Sequence, residues 1–231
     1  MAKRLNPLIH PWDVTPTEAV AIQKRLREHV VCEGKLPKPR LIAGADISWG
    51  KKSNKGFAGM IVFTFPGLEE VERVSLSDDV RFPYVPGLLT FREGPLLMEC
   101  YARLRKKPDL IFFDGQGMAH PRRMGVATHL GMLLDIPAIG CAKSRLVGEH
   151  REPGPKRGNR ARLLHHDETI GYVLRTRDGV KPIFVSVGHR LDLAEAIRLT
   201  LRVSDGFRVP KPTRLADHFV GELRREYEAE L

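Results

Sequence analysis

Three strand-like runs crowd into the first part of the chain before any alternation of helix and strand begins. That order constrains the fold more than any other feature. The runs are RLIAGADIS (40–48), FAGMIVFTF (57–65) and LEEVERVSL (68–76), with Pro66-Gly67 as the turn between the second and third. Leu97, Tyr101 and Leu104 then mark a helix that reaches about Lys107. PDLIFFDGQG (108–117) is an apolar run ending in Asp114-Gly115, the pattern of a buried strand entering a tight turn. MGVATHLGMLLD (124–135) reads as helix and IPAIGCAK (136–143) as a second buried strand. The order β-β-β-α-β-α-β predicts a mixed sheet, antiparallel at first and parallel later, with helices on both faces.

This is the element order of the ribonuclease-H-like α/β fold, here with extra C-terminal elements. Upstream, Thr15-Pro16-Thr17-Glu18 opens a helix, with Thr15 as N-cap, Pro16 at its first position and Glu18 closing a capping box. Downstream, TIGYVLRT (169–176) and PIFVSV (182–187) form a hairpin, and helices begin near Leu191 and Thr213. REPGPKRGNRAR (151–162), rich in Pro, Gly and Arg, predicts an exposed basic loop inside the domain rather than a linker. No internal repeat interrupts this order. At 231 residues and 42% hydrophobic, the chain can bury a sizeable core, and a single domain over 1–231 with its core at about 12–228 is expected.

Thirty-eight basic against 28 acidic side chains leave a net charge of +10. Such a surface suits a polyanion such as nucleic acid, although a merely solvated basic surface has the same composition. No apolar run approaches the length of a membrane span, and MAKRLNPLIHPWD lacks the apolar stretch of a signal peptide. Cys32, Cys100 and Cys141 show no CxxC or Cys/His spacing, so a reduced, cytoplasmic protein without zinc is expected. There is no GxxxxGK[ST] phosphate loop and no Ser or Cys nucleophile motif.

The stretch RFPYVPGLLTFREGP (81–95) cannot be helix or central strand through its two prolines. It predicts a stiff loop with Tyr84 at its tip, close to Glu93 where the loop turns into a helix near Pro95. Asp46 interrupts an apolar strand, and Asp114 ends another that the fold makes its neighbour. Clustered carboxylates raise one another's pKa unless a cation neutralises them, and magnesium with oxygen ligands does so. Two such ions about 3.5–4 Å apart would serve phosphodiester cleavage. Each carboxylate taken singly also fits a turn, a cap or a helix start. Lys143 follows the fifth strand at the same edge as Asp114, where it could meet a phosphate or simply face solvent. His120, with Arg122 and Arg123, makes a small basic cluster in GMAHPRRMG.

AGADIS (43–48), FPYVPGLLTFREGP (82–95), KPDLIFFDGQGMAHPRRMGVATHLG (107–131) and IPAIGCAKSRL (136–146) together resemble the endonuclease V family of deoxyinosine-specific repair nucleases. PIFVSVGHRLDL (182–193) and PKPTRLADHF (210–219) extend the likeness over nearly the whole chain. The resemblance implies magnesium- or manganese-dependent cleavage of the second phosphodiester bond 3′ to a deaminated base in DNA, leaving the lesion in place. It implies Asp46, Glu93 and Asp114 as metal carboxylates, and Lys143 and His120 acting near the phosphate. Tyr84 becomes the wedge that fills the duplex where inosine is extruded, which offsets part of the unstacking cost. Pro83, Gly87, Leu89, Gly115, Gly117, Arg122 and Gly125 fall to substrate binding. Some members carry a histidine after PTRLA near the metal; Asp217 stands here, followed by His218, and is an outer ligand candidate. Relatives acting on RNA make an inosine-specific endoribonuclease the alternative. A catalytically dead nucleic-acid-binding module is disfavoured by the three carboxylates. A monomer with no membrane partner is expected.

Overall fold

The computed structural model describes residues 8–231 apart from 37 and 52. Eight strands and five helices follow in the order α1 (Pro16–Arg27), β1 (Leu41–Trp49), β2 (Lys55–Thr64), β3 (Glu70–Asp79), α2 (Leu89–Arg103), β4 (Leu110–Phe113), α3 (Val126–Leu134), β5 (Ala138–Ala142), β6 (Arg160–His165), β7 (Glu168–Leu174), β8 (Ile183–His189), α4 (Leu193–Arg202) and α5 (Lys211–Ala229). The strands form one sheet in the spatial order β3-β2-β1-β4-β5-β8-β7-β6. β1 pairs antiparallel with β2 and parallel with β4, and β4 pairs parallel with β5. The mixed ribonuclease-H-like architecture is therefore as predicted, and β5 to β8 returns to antiparallel pairing. The Thr15–Glu18 capping box is formed at α1.

Alternation along the strands separates two cores. Ala43, Ala45, Ile111 and Phe113 pack with Leu97 and Cys100 of α2 and Leu130 of α3 on one face. Ile42, Leu110, Phe112 and Ile139 pack with Ala196 and Leu199 of α4 on the other, with Leu215 and Phe219 of α5 beside them. α5 lies almost on the backbone of β1. A Cβ at Gly44 would stand 2.0 Å from the Pro212 carbonyl oxygen, so the helix can dock only over glycine there.

Two readings of the sequence need correction. α2 begins at Leu89, and Pro95 lies inside it rather than at its start. Proline removes one helical hydrogen bond and crowds the residue before it, but Gly94 has no Cβ to clash. The Trp12 ring occupies that space, 2.5 Å from where a Cβ would be. Glu93 thus projects from the second turn of a helix. The basic patch 151–162 is not all loop: its end belongs to β6, an edge strand whose burial alternates only weakly. Among the described residues, no helix is long and apolar enough to cross a membrane.

Candidate metal and nucleic-acid site

Asp46 sits near the end of β1 and Asp114 immediately after β4, and the Asp114 N–H donates to the Ala45 carbonyl at 3.2 Å. Both residues follow the parity of Ile42 and Phe112, so both side chains emerge on the face that α5 covers. α5 brings Asp217 to the same place. Carboxylate oxygens of Asp46, Asp114 and Asp217 all lie within 4.8 Å of one another. Glu93 is not a member of that set. Its helix packs on the opposite face of the sheet, so it approaches from the far side, buried, within electrostatic range of Asp46 and Asp114.

The charges in this cluster oppose one another. Burial and then the neighbouring Asp114 carboxylate hold Asp46 well above the usual carboxylate range, although its Oδ1 accepts from the Ile47 N–H at 2.8 Å. Burial, then Asp114, pushes Glu93 up to about 8. Burial also raises Asp114, against the pull of Lys143. Lys143, one residue past β5, places Nζ 2.6 Å from Asp114 Oδ2 and 2.7 Å from Asp217 Oδ2. The contact with Asp217 is a directed hydrogen bond. The contact with Asp114 is a close ion pair, less well directed than the one to Asp217. An all-oxygen donor set whose buried carboxylates are raised by burial and by one another fits a hard divalent cation.

Beside the carboxylates opens a cavity of about 370 Å³. Its walls include Gly87, Leu89, Gly115 and Gly125, together with Asp114, His120 and Lys143, and Tyr84 is among its lining residues. Tyr84 is 72% exposed, the most exposed aromatic ring among the described residues. Gly117 is not among the residues lining the cavity; its N–H donates to Ser186 Oγ at 2.9 Å. Pro83 turns instead toward a second hollow formed with Trp12 and Arg92.

The loop carrying Tyr84 is held on both sides of its tip: Arg92 donates to the Phe82 carbonyl at 2.7 Å, and three side chains converge on Gly87. The carbonyl oxygen of Gly87, a residue at φ +79°, accepts from Arg122 at 2.7 Å, His120 Nε2 at 2.9 Å and Gln23 at 3.1 Å. His120 Nδ1 accepts from the N–H groups of Arg122 and Met124, which places the ring proton on Nε2. Both nitrogens are thereby committed to backbone. Burial lowers His120 to about 4, so the ring is neutral. The sequence reading set His120 and Arg122 beside the phosphate and substrate; both hold the Tyr84 loop through the Gly87 carbonyl, and His120 also lines the cavity. Gln23, on α1, had no signal in the sequence beyond being a polar residue within a helix.

Gln116 was missed as well. It is 9% exposed and lines the cavity, and its Nε2 donates to the Ser144 carbonyl at 2.9 Å. That acceptor fixes which end of the amide is nitrogen, and Oε1 is left buried without a donor.

The Endonuclease V family model matches residues 24–218. Endonuclease V of Myxococcus xanthus is 48% identical over 97% of this chain and 96% of its own length. The crystal structure of Endonuclease V from Streptomyces avermitilis superposes with a TM-score of 0.89 at 40% identity, covering 94% of this chain and 96% of that one. An Endonuclease V of Ciona intestinalis, solved in complex with a 23-mer DNA containing an inosine followed by a ribo-adenosine, has a TM-score of 0.80 at 25% identity over 93% of this chain and 100% of that one. Sequence and fold agree along almost the entire chain: it belongs to the Endonuclease V family.

Proposed function

We propose that this chain is a divalent-cation-dependent endonuclease that recognises deoxyinosine in DNA and hydrolyses the second phosphodiester bond 3′ to it, leaving the lesion in place. One observation carries the reading: Asp114 and Lys143 belong both to the wall of the 370 Å³ cavity and to the carboxylate cluster. A base seated in the cavity therefore holds its own strand against the charged groups. Tyr84, at the rim, supplies an aromatic face for the gap that an extruded base leaves behind.

Asp46, Asp114 and Asp217, with Glu93 behind them, would hold magnesium or manganese. Such an ion keeps neighbouring carboxylates ionised and supplies an acidified water and positive charge for phosphodiester hydrolysis. Lys143, held cationic by two carboxylates, is placed to exchange one of them for a phosphate oxygen. Gln116 Oε1 is an acceptor in want of a donor. The N1–H of a 6-oxopurine is such a donor, whereas adenine presents a lone pair at the same position. The bound strand of the Ciona relative carries a ribonucleotide after its inosine, and this favours cleavage of inosine-containing RNA as the second reading.

The test incubates wild type and Asp114→Asn with matched inosine and adenosine strands, in DNA and in RNA, with magnesium or with chelator. Expected is magnesium-dependent cleavage at the inosine strand alone, lost in Asp114→Asn. Equal cutting of adenosine strands would overturn the base reading. Undiminished cutting in chelator would overturn the metal reading. A preference for the RNA strand would select the second reading.

A further inference from the structure

The carboxylate cluster has a second neighbour. On the α5 side, a groove of about 610 Å³ runs from Ser48 along the helix and includes Asp217 itself. Asp217 thus stands between this groove and the base cavity that Asp114 and Lys143 line. Arg214, His218, Gly221 and Arg225 follow at steps of four, three and four residues, one face of the helix, with Arg224 adjoining. The stripe buried on the sheet is a different one, through Pro212, Thr213, Ala216 and Val220.

Gly221 is the feature that ordinary helix chemistry does not explain. Glycine inside a helix costs about 1 kcal/mol relative to alanine. Packing does not demand it, in contrast to Gly44: a Cβ at Gly221 would meet only Arg225 Nη1, at 3.4 Å. Its effect is to leave the floor of the groove bare between cationic side chains, as a backbone pressed close to a ligand requires.

The arginines around it have spare hydrogen-bonding capacity. Arg214 spends one Nη on Asp205, at 2.9 Å to each oxygen, and stacks over Phe207 at 3.9 Å. Arg224 reaches Glu228 only at 3.8 Å, and His218 stands 3.5 Å from Glu222. Arg225 has no ion-pair partner among the described residues. An exposed, unpaired Arg225 and a loosely paired Arg224 beside a bare floor suit a polyanion whose oxygens arrive in series, and phosphodiesters are such a ligand.

We propose that this α5 groove carries the sugar-phosphate backbone of the substrate strand on the 3′ side of the scissile bond. This rests on the reading above. With the base in the cavity and the cut bond over the carboxylates, a strand continuing in the 3′ direction leaves the cluster by way of Asp217. Cleavage then cuts between two separately held segments, and the groove keeps the 3′ segment in line.

The experiment measures dissociation constants in calcium for single strands bearing one deoxyinosine. One probe stops shortly after the scissile phosphate, one extends far in the 3′ direction, and one extends equally far in the 5′ direction. Proteins are wild type, Arg224→Gln/Arg225→Gln and Gly221→Leu, with thermal melting of each. The 3′ extension should tighten wild-type binding roughly tenfold, and both variants should lose most of that gain while binding the truncated probe normally. The double variant should lower the slope of log affinity against log salt by about 0.7 for each phosphate that is no longer neutralised. Gly221→Leu, a better helix former, should melt no lower than wild type while still losing the gain. Equal gains from the 3′ extension in all three proteins, or a loss confined to the 5′-extended probe, would overturn the groove. A parallel adenosine series reports separately on the base reading, which fails if adenosine and inosine probes bind alike.

Discussion

Replacing Tyr84 by alanine separates recognition from stability. The ring is 72% exposed, so its removal opens no cavity in the core, and the melting temperature should stay within the small range of ordinary surface substitutions, about 0.5 kcal/mol. The loop does not need the ring for its shape either. Pro83 and Pro86 restrict its backbone, and three donors converge on the Gly87 carbonyl beyond the tip. What Tyr84→Ala removes is a stacking surface. Aromatic stacking on a base contributes about 1–3 kcal/mol, so affinity for an inosine duplex should fall between about fivefold and a little over a hundredfold. The loss should be smaller on single-stranded inosine DNA, where no stacked gap has to be filled, and undamaged duplex should bind as before through its phosphates. Tyr84→Phe should retain most of the affinity, because the proposed contact is made by the ring face and not the hydroxyl. Dissociation constants for the three proteins on the three substrates, measured in calcium, decide the matter. Equal losses on every substrate would mean that Tyr84 only shapes the loop.

Other outcomes follow from the buried polar groups. Glu93 stands at about 8 against an ordinary 4.5, so in chelator its contribution to stability is complete below about pH 4.5 and is lost as the pH rises to about 8. Glu93→Gln should therefore melt progressively higher than wild type across that window, by on the order of a few kcal/mol at its upper end. Parallel melting curves would refute the penalty. Gln116→Leu should reduce discrimination between inosine and adenosine strands by roughly tenfold, the worth of a hydrogen bond of about 1.4 kcal/mol. An N1-methylinosine strand, which has no N1–H, should bind the wild type about as poorly as inosine binds the variant; unchanged discrimination in Gln116→Leu would remove Oε1 from base recognition.

Apolar periodicity made the sheet legible, because β1, β2, β4 and β5 are covered on both faces and read as near-continuous hydrophobic runs. A charged residue inside such a run is conspicuous, and Asp46 and Asp114 stood out for that reason. β6 did not, since an edge strand with arginines at exposed positions has the composition of the loop before it. The start of α2 is hard to place from sequence because a proline reads as a boundary, and only the glycine at position 94 with the Trp12 ring against it shows why the helix continues.

Asp217 was legible only as a position, and the reason lies in the architecture. Asp46 in β1 and Asp114 just after β4 share the even parity, and which sheet face that parity occupies follows from the cores, not from the strands themselves. Once α5 is known to cover the even face, through Gly44 beneath Pro212, a carboxylate in its second turn must come down beside them. α2 covers the odd face, so Glu93 can only reach the cluster from behind, which accounts for its deep burial and for its absence from the set within 4.8 Å. Position in the chain supplies the carboxylates; the side of the sheet decides which of them cluster. The same logic extends to Lys143. It leaves β5 one residue beyond the strand and beside β4, so its ammonium meets the carboxylates of Asp114 and Asp217 whatever the loop after it does. A lysine so placed is held cationic by the carboxylates beside it, and on the proposed reading a phosphate entering the site would meet a donor already charged and already aimed.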